Sequence, residues 1–101
     1  MEEFRVIRMK IMEVVSKTIA NVMECKEKDI PGDICLKNAV NMDSIDAVEV
    51  TMALEQKFDV SITDEEMDLM PTITLVGVCE IVERKLKEAG RWSMGKLGPL
   101  V

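Results

Sequence analysis

Between Phe4 and Met23 the chain repeats itself at three- and four-residue spacings: Phe4, Ile7, Ile11, Val14, Val15, Thr18, Ile19, Val22 and Met23. That period gathers them into one stripe on a helix, whereas a strand alternates every second residue and would scatter them over both faces. The spacing predicts a helix over 3–23, with Glu2 and Glu3 at its positive end. Two further stretches carry the same signature. Val50, Ala53, Leu54 and Phe58 predict the core face of a helix over 44–57. Leu75, Val78, Cys79, Val82 and Leu86 predict another over 75–88, capped by Thr74 and stopped by Gly90. Between them, Thr63 with Glu66 three residues on forms a capping box that opens a short helix over 64–70, which Pro71 ends. A chain of 101 residues has room for one small domain. The expected fold is therefore all-α: a small four-helix bundle, three longer helices plus a short third, with a long loop between the first two. The helical domain is expected over 1–89, and 90–101 as a C-terminal tail.

The long loop, 24–43, turns at Pro31-Gly32-Asp33. Such length inside a small domain needs anchoring, and Ile30, Ile34, Leu36 and Val40 are the expected pins. The tail after Gly90 has no helical period and holds the only Trp. Trp92, Leu97, Leu100 and Val101 give it the means to fold back or to meet a partner; most such tails are mobile.

Charge is distributed unevenly. Residues 41–70 hold nine acids against Lys57 alone, net −8, while 1–40 are balanced and 71–101 carry +2, for a total of −6. A concentrated acidic surface repels nucleic acid and anionic membranes and steers toward basic protein surfaces. Histidine is absent, which removes the commonest general base and neutral metal ligand. The three cysteines have no Cys-x-x-Cys spacing, which fits a reducing cytosol and argues against a disulfide framework or a zinc site. Asp64-Glu65-Glu66 lacks the spacing and central Gly of a calcium loop, so capping explains those acids and no metal is expected. No stretch is apolar enough to span a membrane, and Met1-Glu2-Glu3 lacks the basic start of a signal peptide. A cytoplasmic location is expected. With nine Met and three aromatic residues, the core is either simply small and aliphatic or an adaptable ligand pocket.

Asp43-Ser44-Ile45-Asp46 stands where the turn-rich loop meets the second long helix. Asp43 is a good N-cap residue, and Ser44 then places a hydroxyl at the first turn, facing solvent. Free amides and the positive end of the helix dipole favour a phosphate attached there. A serine at a helix start is most often a plain cap, and the tetrapeptide alone does not separate the two readings. Further along, Asp46, Glu49 and Gln56 are expected to be exposed, with Val48 and Met52 at the surface edge. These residues make either an ordinary amphipathic face or a docking surface on which charge steers and apolar contact holds.

Asp43-Ser44-Ile45-Asp46-Ala47-Val48-Glu49, Met52-Ala53-Leu54-Glu55, Phe58-Asp59 and Asp64-Glu65-Glu66 together resemble an acyl carrier protein. The likeness runs from Ile19 to about Leu86. Ile45 stands where Leu is usual, Asn41 where Gly is usual, and Leu36 where an aromatic is usual. Asn tolerates the left-handed conformation better than other non-Gly residues, so the second departure is mild. The resemblance implies a non-enzymatic carrier that holds acyl groups as thioesters on 4′-phosphopantetheine attached to Ser44. It implies a docking face of Asp43, Asp46, Val48, Glu49, Met52 and Glu55. The implied partners are a phosphopantetheinyl transferase and acyl-processing enzymes with basic surfaces, met as a monomer. The inward residues Val50, Leu54, Ile62, Met67, Met70 and Val78 are the candidate lining of an acyl pocket. Fatty-acid, polyketide or related biosynthesis would be the setting. The other readings are a peptidyl carrier domain and an unmodified helical adaptor, which attachment at Ser44 would separate from a carrier.

Overall fold

A computed structural model describes residues 2–99. Met1, Leu100 and Val101 lie outside the described residues, as do the fold-back of the last two and the side chain of Glu2. Among the described residues five helices follow in order: α1 (Glu2–Met23), α2 (Leu36–Ala39), α3 (Ser44–Phe58), α4 (Asp64–Leu69) and α5 (Leu75–Glu88). Single 3-10 turns stand at Glu27–Asp29, Met70–Thr72 and Met94–Lys96. No helix among the described residues is long and apolar enough to cross a membrane.

α1 buries Ile7, Ile11, Val14, Val15, Thr18 and Ile19, as its period requires. The Thr18 hydroxyl donates to the Val14 carbonyl at 2.7 Å, which satisfies a polar group inside the core. Phe4 departs from the expectation. It is 54% exposed, because the stripe runs past the end of the bundle and Phe4 stacks instead on Trp92, centroids 6.3 Å apart. Val22 and Met23 are only half-buried at the other end.

Three helices end alike. Glu24, Asp59 and Gly90 adopt left-handed conformations, φ 55°, 53° and 68°. The next amides, of Cys25, Val60 and Arg91, return to the carbonyls of Ala20, Glu55 and Leu86 at 3.0, 3.3 and 2.8 Å. Each closure satisfies carbonyls that the helix leaves open. Only Gly90 announces this in sequence; Glu24 and Asp59 accept the backbone cost of a non-Gly residue there.

The loop from 24 to 43 is pinned by Ile30, Leu36 and Met42. Ile34, an expected pin, is exposed, and Val40 is only half-buried. The cause is local. Cys35 bridges Thr74 in antiparallel fashion, and Leu36 N–H reaches the Ile73 carbonyl at 2.9 Å. Leu36 opens α2 from this anchor and enters the core, while Ile34, still on the loop before it, stays outside. Asn41 holds φ 60°, the conformation expected of a residue in a glycine position, and delivers Met42 to the interior.

α5 buries all five residues of its period, Leu75, Val78, Cys79, Val82 and Leu86. Arg8 meets Glu83 at 3.3 Å and Met12 meets Cys79 at 3.8 Å. Rising numbers in α1 pair with falling numbers in α5, so the two are antiparallel. Arg91, just past α5, donates to the carbonyls of Phe58 and Asp59 at 2.5 and 2.6 Å, so α3 and α5 finish at the same end. Ser44 consequently lies at the end opposite Phe4 and Trp92.

The expected capping box of α4 is present: Glu66 N–H donates to the Thr63 hydroxyl at 3.1 Å and Thr63 N–H to Glu66 at 2.8 Å. Burial alone would raise the Glu66 carboxyl. The Lys85 ammonium at 2.8 Å and the Thr63 amide and hydroxyl outweigh it and hold the group at about 2. Arg84 also pairs with this carboxylate. A folded value below the ordinary 4.5 makes a stabilising contribution that is complete above about pH 4.5 and fades as pH falls toward 2. Glu66→Gln should therefore cost stability at pH 7, on the order of 1 kcal/mol as for loss of a cap. Urea unfolding should show that difference shrinking steadily from pH 4.5 downward; a pH-independent difference would refute the charge argument.

Candidate functional site

α3 starts at Ser44 because Asp43 caps it. The Asp43 carboxylate accepts the Asp46 N–H at 2.8 Å, and the Asp43 N–H donates to the Asp46 carboxylate at 3.1 Å. This is a reciprocal capping box with Asp in place of the usual Glu. The Asp46 amide, with smaller help from the Ile45 amide, holds the Asp43 carboxyl below the ordinary range. Asp43 is thus anionic at neutral pH and its charge is directed into the helix start. Ser44 is exposed at the first helical position. Since Asp43 does the capping, the serine hydroxyl is left outside the cap.

The candidate docking residues divide. Val48, Glu49 and Met52 are exposed, Met52 to 63%, and Asp43 faces solvent beside them. Asp46 was expected to be exposed but is half-buried, since its carboxylate serves the capping box. Glu55 is half-buried too and accepts the Ile62 N–H at 2.9 Å, fixing the extended piece that leads to α4. The Asp-x-x-Asp spacing could have shown the first of these roles; nothing local marks the second. One residue absent from the expected set belongs with it. Ile45 is 69% exposed and continues the line of Val48 and Met52 at i, i+3 and i+7. The buried face of α3 is Ala47, Val50, Thr51, Leu54 and Phe58. Ala53, expected there, is half-buried, because the stripe rotates toward Ala47 and Thr51.

The candidate pocket residues do converge in the interior, but as packed core. Val50, Leu54, Met70 and Val78 are fully enclosed, Ile62 nearly so, and Met67 half-buried. The Thr51 hydroxyl lies 3.9 Å from the Met70 sulfur, a polar contact among them that the apolar pattern did not signal. Two cavities lie elsewhere. One is an open groove of about 1210 Å³ along α1. The other is a cleft of about 300 Å³ between α1 and α5, reached by Ile11, Met12, Val76 and Cys79.

Two of the thiols, Cys25 and Cys79, are poorly suited to attack. Burial, reinforced by Glu83 and Glu80, pushes Cys79 up to about 12, and burial with Asp29 raises Cys25. The reactive thiolate is correspondingly scarce at neutral pH. Among the described residues no group of three or more His, Cys, Asp or Glu could hold a metal ion.

With this geometry in hand, the comparison with known families is specific. The family model described as phosphopantetheine attachment site matches residues 13–76. The matched span begins inside α1, takes in Ser44 and all of α3 and α4, and closes at the start of α5. No solved structure matches the chain.

Proposed function

We propose that this chain, which belongs to the phosphopantetheine-attachment family, carries its 4′-phosphopantetheine arm on Ser44. The family binds that group covalently, and its domains are generally carriers without catalysis of their own. The single observation that supports Ser44 is the division of labour at the start of α3: Asp43 and Asp46 cap each other, and the exposed serine hydroxyl remains available. The residues present fit the group. Ser44 supplies the attachment oxygen, and the open amides and dipole of the fifteen-residue α3 favour the phosphodiester's charge. When attached, the arm supplies a terminal thiol that can hold an acyl group as a thioester. The chain's own part is to display it, keep Asp43 ionised beside it and offer a surface to the enzymes that use it.

The finer reading follows the same lines. The chain acts as an acyl carrier for fatty-acid, polyketide or related biosynthesis, as a cytoplasmic monomer. Residues 1–89 form the carrier domain, with 90–101 a C-terminal tail. Intact-protein mass after incubation with coenzyme A and a broad-specificity phosphopantetheinyl transferase is the test. One added group at Ser44 supports the reading; no addition, or addition elsewhere, overturns it.

Partners with basic surfaces meet the exposed Ile45, Val48, Glu49 and Met52 beside Asp43. Exposed charges are screened beyond about 8 Å at physiological ionic strength, so both raised salt and Glu49→Lys should slow modification. Fluorescence anisotropy with the transferase should show weaker binding in each case; insensitivity to both would move docking off α3.

The cargo is the less constrained half. An acyl chain entering among Val50, Leu54, Ile62, Met67, Met70 and Val78 must open packed core, and the unbranched Met67 and Met70 are the side chains able to yield. Each enclosed CH₂ contributes up to ~0.8 kcal/mol, less the work of opening. A medium-length acyl form should melt higher than the form with the bare arm, and Leu54→Gln should reduce the gain. Equal melting temperatures, with amide shifts confined to the Ser44 turn, would withdraw the pocket.

A further inference from the structure

The carrier reading leaves the N-terminal half of α1 without a role. The family match starts only at residue 13, yet α1 begins at Glu2 and is regular throughout. Its outward face is apolar where solvent calls for charge: Phe4, Val6 and Met9 are exposed, Met9 to 64%, and Met94 of the tail is exposed beside them. These residues line the groove of about 1210 Å³. Arg5, Arg8, Lys10 and Lys28 stand around it, against two lining carboxylates, Glu13 and Glu27, and Arg8 also pairs with Glu83 at 3.3 Å. Glu13 is already bracketed by Lys17 at 3.2 Å and Lys10 at 3.9 Å. The groove is therefore basic on a chain whose net charge is −6. Its Phe4 and Met94 end lies opposite Ser44.

We propose that this groove is a second docking site, for an acidic amphipathic helix of another protein. Four observations narrow the occupant. Val6 and Met9 sit three residues apart with Arg5 on one flank and Lys10 on the other, which is an apolar seam edged by cations. A complementary helix would present apolar residues at i, i+3 or i+4 and i+7, edged by Asp or Glu. The backbone of α1 is used up in its own hydrogen bonds, so it has no edge to pair with a strand. A symmetric pair of copies fits poorly, because Arg5, Arg8 and Lys10 would face their equivalents; a head-to-tail contact with the acidic α3 of another copy would give α1 shifts that grow with protein concentration in the absence of peptide, and that result would overturn the choice of occupant. A membrane fits less well than a helix, because Glu13 and Glu27 would oppose anionic headgroups. Met9, Met12 and Met94 are unbranched and polarizable, which suits a surface that moulds to its partner.

The structure contains its own reporter. Trp92, the only tryptophan, stacks on Phe4 of the groove, with the Lys87 ammonium 4.8 Å above its ring. Three probes are titrated into the full chain: an eighteen-residue Leu/Glu amphipathic peptide, the matching Leu/Lys peptide, and vesicles of anionic phospholipid. Trp92 emission and backbone amide shifts are followed together. The Leu/Glu peptide should shift Trp92 and the amides of α1 from Phe4 to Glu13, whereas the Leu/Lys peptide should shift α3. An Arg5→Glu/Lys10→Glu variant should bind the Leu/Glu peptide at least tenfold more weakly. Its circular dichroism and its modification at Ser44 should match wild type, since both side chains are outside the core and on the half of α1 that lies away from Ser44. The proposal is overturned if the Leu/Glu peptide leaves α1 unshifted, if both peptides bind α1 alike, or if α1 responds to vesicles and not to the peptide. Because Ser44 modification is read separately, failure here leaves the carrier reading standing.

Discussion

Ser44→Ala should take up no phosphopantetheinyl group, while its melting temperature should stay within a few degrees of wild type. Both halves follow from the start of α3. Attachment needs an oxygen nucleophile there, and Ala removes it. Stability does not need it, because the cap is made by Asp43 and Asp46, at 2.8 and 3.1 Å. An exposed Ser→Ala change outside a cap is ordinarily within ±0.5 kcal/mol. Asp43→Ala is the complementary variant. It keeps the hydroxyl but removes the capping carboxylate, at a cost of about 1 kcal/mol, or roughly 4–8 °C in a domain this small. Mass spectrometry and thermal unfolding of the two variants separate attachment from capping. Should Ser44→Ala unfold as easily as Asp43→Ala, the serine would be a structural cap and the attachment site would have to be sought elsewhere.

The long helices were legible in the sequence because burial imposes a period on them. All five residues predicted for α5 are buried, and the α4 capping box is formed as its spacing implied. What escaped was set by partners distant in the chain. Ile34 has the side chain of a pin, yet it is exposed, because the anchor at this point is its neighbour Cys35, bridged to the distant Thr74. Glu55 looks like any surface acid on a helix, and only the return of the chain gives it the Ile62 amide to hold. α2 spans four residues, too few to establish a period. The site divides in the same way. Ser44 and its cap are local and could be read from four consecutive residues. The identity of the arm is a family property, and no local arrangement of atoms encodes it. The basic groove joins α1 to a turn in the loop and a turn in the tail, so no single window of sequence contains it.

Leu97→Ala should lower the melting temperature by about 10 °C or more. The tail has the composition of a mobile end, yet Leu97 is buried as deeply as the helix residues, at 1% exposure. Removing a buried leucine side chain costs about 2–5 kcal/mol. At about 4–8 °C per kcal/mol for a domain of this size, even the lower limit gives a large shift. Its neighbours show how the tail is held. The Arg91 guanidinium spans the carbonyls of Phe58, Asp59 and Lys96 at 2.5, 2.6 and 3.0 Å, placing a cation on the C-terminal end of α3, where the dipole favours it. Gly98 passes so close to α3 that a Cβ there would lie 2.6 Å from the Phe58 carbonyl, and its φ of +112° already disfavours any other residue. Gly98→Ala should therefore destabilise as well, by forcing the tail away from Phe58. One opposing effect is present: the Trp92 indole N–H is buried without a partner among the described residues, which costs about 1–3 kcal/mol. Trp92→Phe should consequently cost less than the size of the side chain suggests. Lys96→Ala, exposed beside Leu97, serves as the control and should melt like wild type. A Leu97→Ala protein within 2 °C of wild type, with Gly98→Ala equally unaffected, would mean that the fold is complete at Gly90 and the tail merely rests on it.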